Sequence, residues 1–222
     1  MIVVGLTGSI AMGKSTAAKM LAEMDGVAVF CSDEAVKRLY KDPEVIELIR
    51  RRFPSSYDGK TGGIDKKNLI AEIGFDHEKW DDLEAILHPF VRREQDKFLR
   101  LQQVAGTKIA VLDIPLLFET GAQERVDYTI CVTASRVPAA SRIIQEQRIA
   151  ERIREGVITE ESFRFRLERQ MPDEEKQAKA DFIVPTGGGF DYTKDELQGI
   201  VSTLKKDLGN GHEHRRFPPH KL

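Results

Sequence analysis

Short apolar runs separated by longer helical stretches set the pattern of the chain. Ile2-Val3-Val4-Gly5-Leu6 is β-branched and unbroken by charge, which predicts a buried strand. Residues 16–22 are good helix formers, and residues 26–31 give a second apolar strand that hands over at Ser32-Asp33 to a helix. Asp42-Pro43 then supplies an N-cap and a first-turn proline for a helix whose apolar stripe is Val45, Ile46, Ile49 and Phe53. Residues 54–63 read as a mobile loop. Helices follow over 65–73 and 76–87, and His88-Pro89 is expected to open a separate, longer one. No strand signal is expected between about residue 33 and residue 104. Strands resume at 108–113 and 126–132, an arginine-dense helical stretch covers about 139–177, and the last strand is 181–184. A capping box at Tyr192-Thr193-Lys194-Asp195-Glu196 is expected to open the final helix, with an unstructured tail from Gly209.

Strands alternating with helices predict an α/β fold with a parallel sheet covered on both faces. Ligands of such sheets lie beyond the carboxyl ends of the strands. Residues there are therefore the ones to inspect for chemistry. They include the loop after the first strand, Asp33 after the second and Asp113 after the third.

That first loop, Gly8-Ser9-Ile10-Ala11-Met12-Gly13-Lys14-Ser15, fits the phosphate-binding P-loop pattern G-x-x-x-x-G-K-[ST]. Four fixed positions arise by chance in roughly one chain of this size in a hundred, and the flanking strand and helix lower the odds further. The glycines let successive N–H groups converge on an anion at a helix N-terminus. Lys14 would reach the β- and γ-phosphates, and the Ser15 hydroxyl would ligate Mg²⁺.

Composition narrows the class. The 222 residues carry 34 Lys+Arg against 36 Asp+Glu, a formal net charge of -2, with no basic excess to suggest nucleic acid or a membrane as the main partner. Hydrophobic residues at 41% suffice for a core. No run is long enough to span a bilayer, the first strand follows Met1 directly, leaving no room for a signal peptide, and the two cysteines suggest no disulfide framework. A cytoplasmic protein is expected.

P-loops serve switches, motors and kinases. A guanine-reading Asn-Lys-x-Asp element is absent, and a motor needs more chain. A small-molecule kinase needs a general base near the second strand, an acceptor pocket and an arginine-rich lid that keeps water out. Asp33 is the candidate base, set against a turn or N-cap role. Among Arg142, Arg148, Arg152, Arg154, Arg164, Arg166 and Arg169, at least one should reach phosphate when the lid closes. Asp113 could hold Mg²⁺ directly or through water, or cap the turn at Ile114-Pro115. The expected fold is thus a P-loop nucleotide-kinase-like parallel-sheet core (1–33, 106–138 and 178–208) with a helical acceptor-binding insertion (34–105). A helical lid (139–177) and a flexible tail (209–222) complete it.

Several stretches together resemble the dephospho-coenzyme A kinase family. They are Gly5-Leu6-Thr7-Gly8-Ser9-Ile10-Ala11-Met12-Gly13-Lys14-Ser15-Thr16, Ser32-Asp33, Leu87-His88-Pro89, and Asp113-Ile114-Pro115-Leu116-Leu117-Phe118-Glu119. Arg169-Gln170-Met171 and Ala180-Asp181-Phe182-Ile183-Val184 belong with them. The resemblance implies ATP-dependent phosphorylation of the ribose 3′-hydroxyl of dephospho-CoA, giving CoA and ADP in the last step of CoA synthesis. It implies Asp33 as base, Lys14 and Arg142 on the transferring phosphoryl, and Ala11, Met12, Gly13, Lys14, Ser15 and Thr16 around ATP, with Thr7 and Gly8 at the loop's start. It also points to Lys66, His88 and Asp113 for the acceptor and to Ser15 for Mg²⁺. The sequence departs from the family pattern at Cys31, where a carboxylate is usual, at Lys66, where an arginine is common, and at Pro185-Thr186-Gly187. The segment 146–156 also looks longer than usual. Another P-loop nucleoside or nucleotide kinase, and a nucleotide-binding regulatory module without turnover, are the alternatives. The sequence leaves oligomeric state open.

Overall fold

The computed structural model describes residues 1–210. Seven strands form among them: β1 (Ile2–Thr7), β2 (Val27–Cys31), β3 (Tyr57–Asp58), β4 (Gly63–Ile64), β5 (Ile109–Asp113), β6 (Tyr128–Thr133) and β7 (Phe182–Pro185). Five of them make one sheet in the order β2-β5-β1-β6-β7. β1 pairs in parallel with both β5 and β6, and β6 in parallel with β7. Buried on both sides, β1 has no polar alternation at all, the pattern of a central parallel strand.

One face of the sheet presents Ile2, Val4 and Leu6 with Ile109, Val111, Ile130 and Val132. Against it pack Ala17, Ala18 and Leu21 of α1 (Lys14–Ala22) and Leu197, Ile200, Val201 and Leu204 of α9 (Phe190–Gly209). The valine, leucine and isoleucine side chains among these stabilise the fold by roughly 1.5–3 kcal/mol each when fully buried. Two aspartates at strand entrances fix the register. Asp127 accepts the Val3 N–H at 2.8 Å, and Asp181 accepts both the N–H and the hydroxyl of Thr129, each at 2.8 Å. A one-residue slip would break these bonds and exchange the side chains that the two buried faces receive.

Two compact units divide the chain: Met1–Phe30 with the chain from Leu101 on, and Cys31–Arg100. The second is largely helical, with α2 (Ser32–Leu39), α3 (Pro43–Arg52), α4 (Lys66–Ile73) and most of α5 (His77–Val104). Asp42 and Asp65 cap α3 and α4 by accepting two N–H groups each. Val45, Ile49, Phe53, Leu69, Ile73 and Leu83 are among its buried apolar residues.

Three expectations fail. Residues 54–63 are not a plain loop: a 3₁₀ turn at Pro54–Ser56 leads into the antiparallel pair β3 and β4. Asp58 organises the connection, its carboxylate accepting the Lys60 N–H and the Thr61 hydroxyl. Nor does a new helix start at His88, because α5 runs through Pro89 for 28 residues. Its apolar positions Leu83, Leu87, Phe90 and Val91 continue in one phase across the proline, and their burial outweighs the lost hydrogen bond. α9 begins at Phe190, three residues before the expected cap, with Gly189 at φ 95° as its N-cap. Thr193 lies inside it, buried, donating its hydroxyl back to the Gly189 carbonyl at 2.8 Å. The arginine-dense stretch is three helices, α6 (Pro138–Arg154), α7 (Glu160–Glu168) and α8 (Asp173–Lys179). The expected tail, with His212, His214 and His220, lies outside the described residues apart from Gly209, which closes α9, and Asn210.

Because Pro89 is exposed and its pyrrolidine removes one helical hydrogen bond, Pro89→Ala should stabilise the protein by about 1–3 kcal/mol. Thermal unfolding of the two proteins measures this, and an unchanged or lower midpoint would show that the proline relieves a strain the helix otherwise carries.

Candidate active site

The central strand β1 leaves the sheet at Thr7, and the P-loop begins there. Gly8 has to be glycine, since a Cβ at that position would lie 2.4 Å from the Val132 carbonyl oxygen. Gly13, at φ 93°, is the left-handed N-cap from which α1 starts. Between them Ala11 sits at φ 64°, the only positive-φ residue other than glycine among the described residues. That conformation costs about 1–2 kcal/mol for a residue with a Cβ, so its surroundings must hold it.

They do so through the carbonyls. Gln145 on α6 donates to the Ile10 carbonyl at 2.8 Å, Arg148 on α6 to that of Ala11 at 3.2 Å, and the Thr186 hydroxyl to that of Met12 at 2.9 Å. Arg148 also donates to the hydroxyl and the carbonyl of Thr186, at 2.9 and 3.2 Å, which ties two of the clamps together. Gln170, beyond α7, accepts the Ile10 N–H at 3.0 Å. Three successive carbonyls are thus occupied by side chains, and at the start of α1 the Thr16 and Ala17 N–H groups share the Gly13 carbonyl, leaving those of Lys14 and Ser15 without an intrahelical acceptor. The helix N-terminus is left as a site for an anion.

Lys14 does not extend alone into this site. Its ammonium lies 2.5 Å from the Asp113 carboxylate at the end of β5, with side-chain exposures of 11% and 4%. Asp113 is therefore placed by an ion pair, and the pair holds the lysine at the mouth of the loop. Ser15 follows in the first turn of α1, exposed. Thr7 faces away from this role in one respect: it is buried, and its hydroxyl donates to the Pro115 carbonyl at 3.0 Å.

The segment 113–119 is fastened from α8. Lys176, fully buried, reaches Glu119 at 2.8 Å and donates to the Pro115 carbonyl at 3.1 Å, while Glu119 also accepts the Met171 N–H at 2.8 Å. A buried ammonium is tolerated only with such partners. Nearby, Asp173 accepts from the hydroxyls of Thr133 and Ser141 and from the Gln177 amide, at 2.7, 2.9 and 2.8 Å. This network joins β6 to the starts of α6 and α8.

The other candidates belong to other elements. Arg142 is exposed on α6 and makes none of the P-loop bonds; the arginine that does is Arg148, less than two turns further on. In the second unit Asp33 is exposed in the first turn of α2, whose N-cap is Cys31, so the capping role considered for Asp33 is not the one it has. Lys66 opens α4 and sets its ammonium 4.8 Å from the centre of the Tyr40 ring. His88 is half-buried on α5, and burial pushes its pKa below the usual histidine value. Sequence reasoning missed Gln145, Gln170, Lys176 and Thr186 as site residues, and held Arg148 only as one arginine among seven. Each lies more than a hundred residues from the loop it serves, or acts through another segment that does. Periodicity cannot register that.

A glycine loop at the carboxyl end of a central parallel strand, its lysine on a buried carboxylate and its carbonyls bound from behind, defines a P-loop nucleotide-binding fold. The family model for dephospho-CoA kinase matches residues 2–191, and the chain belongs to that family. A dephospho-CoA kinase of Mesorhizobium japonicum is 46% identical over 210 residues, covering 95% of this chain and 100% of the relative. Among solved structures, a Thermus thermophilus protein is similar at 30% identity and a TM-score of 0.72, covering 91% of this chain and 97% of its own. The dephospho-CoA kinase from Campylobacter jejuni is similar at 25% identity and a TM-score of 0.58, with 92% and 97% covered.

The P-loop clamp makes its own prediction. Arg148→Met keeps much of the side chain's bulk and removes three hydrogen bonds, so ATP affinity should fall about tenfold or more while the fold persists. Calorimetric titration with ATP, beside a melting curve, checks this; unaltered affinity would show that the loop keeps its shape without the guanidinium.

Proposed function

We propose that this protein transfers the γ-phosphoryl group of ATP to the ribose 3′-hydroxyl of dephospho-CoA, forming CoA and ADP. The observation that carries the reading is the P-loop itself, with Lys14 on Asp113 and its carbonyls tied back, in a chain of this family. In this reading Cys31–Arg100 is the acceptor-binding part, and α6 to α8 form the lid.

Phosphoryl transfer asks little covalent chemistry of the protein, and placement and charge do most of the work. Thr7 and Gly8 start the loop, and the backbone from Ala11 to Thr16 with Lys14 receives the triphosphate. Asp33, exposed at the start of α2, takes the proton from the 3′-hydroxyl as its oxygen bonds to the γ-phosphorus. The bond from that phosphorus to the β–γ bridging oxygen breaks, and ADP leaves. Arg142, free of the P-loop contacts that occupy Arg148, is available to cover the transferring group when the lid closes. Lys66 and His88 contribute to holding the acceptor. Oxygen donors suit magnesium, and the exposed Ser15 hydroxyl would hold it with Asp113 acting through water. When bound, the ion offsets the triphosphate's charge. Both cysteines are free thiols, which suits a reducing cytoplasm. Among the described residues no helix is long and apolar enough to cross a membrane.

Incubation with ATP, magnesium and a panel of acceptors tests the reaction. Transfer to dephospho-CoA alone is expected; transfer to nucleosides instead, or nucleotide binding with no product, would overturn the assignment. Asp33→Asn preserves shape and removes basicity, so kcat should drop roughly 10²–10⁴-fold with ATP binding intact. A loss below about tenfold would remove the carboxylate from the proton transfer.

A further inference from the structure

Arg169-Gln170-Met171 belongs to the family resemblance, yet no step of the reaction above falls to it. We propose that Gln170 is a catalytic residue whose side-chain NH₂ donates a hydrogen bond to an oxygen of the γ-phosphoryl group as that group transfers. The inference rests on the reading of ATP as phosphoryl donor at this loop, and it is independent of which acceptor takes the phosphoryl.

The orientation of the amide is the first ground. A backbone N–H can bond only to the oxygen of a carboxamide, and the Ile10 N–H lies 3.0 Å from Gln170 Oε1. That contact fixes which end of the amide meets the loop, and it leaves the NH₂ beside it with two donor hydrogens. Among the described residues this NH₂ has no hydrogen-bond partner. Gln145 makes the contrast, since its own NH₂ is taken by the Ile10 carbonyl at 2.8 Å. Of the two glutamines that hold Ile10, Gln170 is the one with its amide nitrogen uncommitted.

Position along the loop selects the phosphate. Backbone N–H groups of a P-loop cradle the inner phosphates, and the lysine ammonium reaches on toward the γ-phosphate. Here that ammonium lies on Asp113, at the head of the segment 113–119. Thr7 donates to the Pro115 carbonyl of this segment at 3.0 Å, and Glu119 at its far end accepts the Met171 N–H at 2.8 Å. Gln170 is thus joined to the side of the loop that the Lys14 ammonium faces. The opposite limb, Met12 and Gly13, lies against Thr186 instead.

The residue is also held still. Its own N–H donates to the Leu167 carbonyl at 3.1 Å, and Glu119, which fixes the next N–H, pairs with the fully buried Lys176 at 2.8 Å. A donor fixed in place beforehand needs no reorganisation when charge develops on the phosphoryl oxygens. Being neutral, it adds a hydrogen bond beside Lys14 without a second ion to desolvate.

Gln170→Glu separates bracing from catalysis, because a carboxylate still accepts the Ile10 N–H but sets a charged acceptor where the NH₂ stood. With dephospho-CoA as acceptor, its kcat should fall about 10²-fold or more. Calorimetric affinity for the β,γ-imido analogue of ATP should fall about tenfold, while affinity for ADP, which lacks the γ-phosphoryl, stays within about twofold. Gln170→Met removes donor and acceptor together and should also lower the ratio of the two affinities. Unchanged kcat and an unchanged ratio in Gln170→Glu overturn the inference and leave Gln170 a brace alone. Equal losses for the ATP analogue and ADP put the effect on the loop's shape and overturn it as well. Should a melting curve show Gln170→Glu unfolded, the ratio in Gln170→Met decides, and no change there overturns the contact. Wild-type protein that binds neither nucleotide would overturn instead the reading of the loop as an ATP site.

Discussion

Everything in the first unit depends on how the backbone from Ile10 to Met12 is held. A loop that offers its N–H groups to phosphate must turn its carbonyls the other way, and unsatisfied carbonyls would pull it back. Here the amide of Gln145, the guanidinium of Arg148 and the hydroxyl of Thr186 take one carbonyl each. These donors come from α6 and from the end of β7, so the loop's geometry is a property of the assembled unit. The short motif alone does not specify it.

The second layer repeats the idea with charge. Lys14 reaches Asp113 at the end of β5, and the segment after Asp113 is held in turn by Lys176 through Glu119 and the Pro115 carbonyl. Each buried cation has its carboxylate, which is the condition for keeping an ion in a low-dielectric interior. The Asp113-to-Glu119 run that marked the chain's kinship is therefore structural in good part, bridging the nucleotide loop to α8.

The sequence was most legible where the signal is local. Apolar runs located all five strands of the main sheet within two residues or so, because a buried parallel strand shows as an unbroken run. The Gly8-to-Ser15 pattern identified the phosphate loop, since its glycines answer steric demands at fixed positions. Pro89 misled, because helix propensity weighs proline heavily while the apolar phase of α5 carries on through it. Thr193 misled in the opposite way, looking like a cap while Gly189, four residues before it and at φ 95°, is the N-cap instead. The clamps were illegible for another reason. A glutamine or lysine facing a distant carbonyl has no periodicity, and only the tertiary arrangement reveals Gln145, Gln170 and Lys176 as parts of the site.

The two thiols lie in chemically different surroundings, and the difference is useful. Cys131, on the buried strand β6, has its thiol pKa pushed up to about 12 by desolvation, so it stays protonated and lacks the thiolate that electrophiles attack. Cys31 is half-exposed and stands two residues before Asp33. A maleimide or fluorinated alkylating tag will therefore mark position 31 selectively in the unmodified polypeptide. It provides a native reporter next to the start of α2, with no engineered cysteine needed.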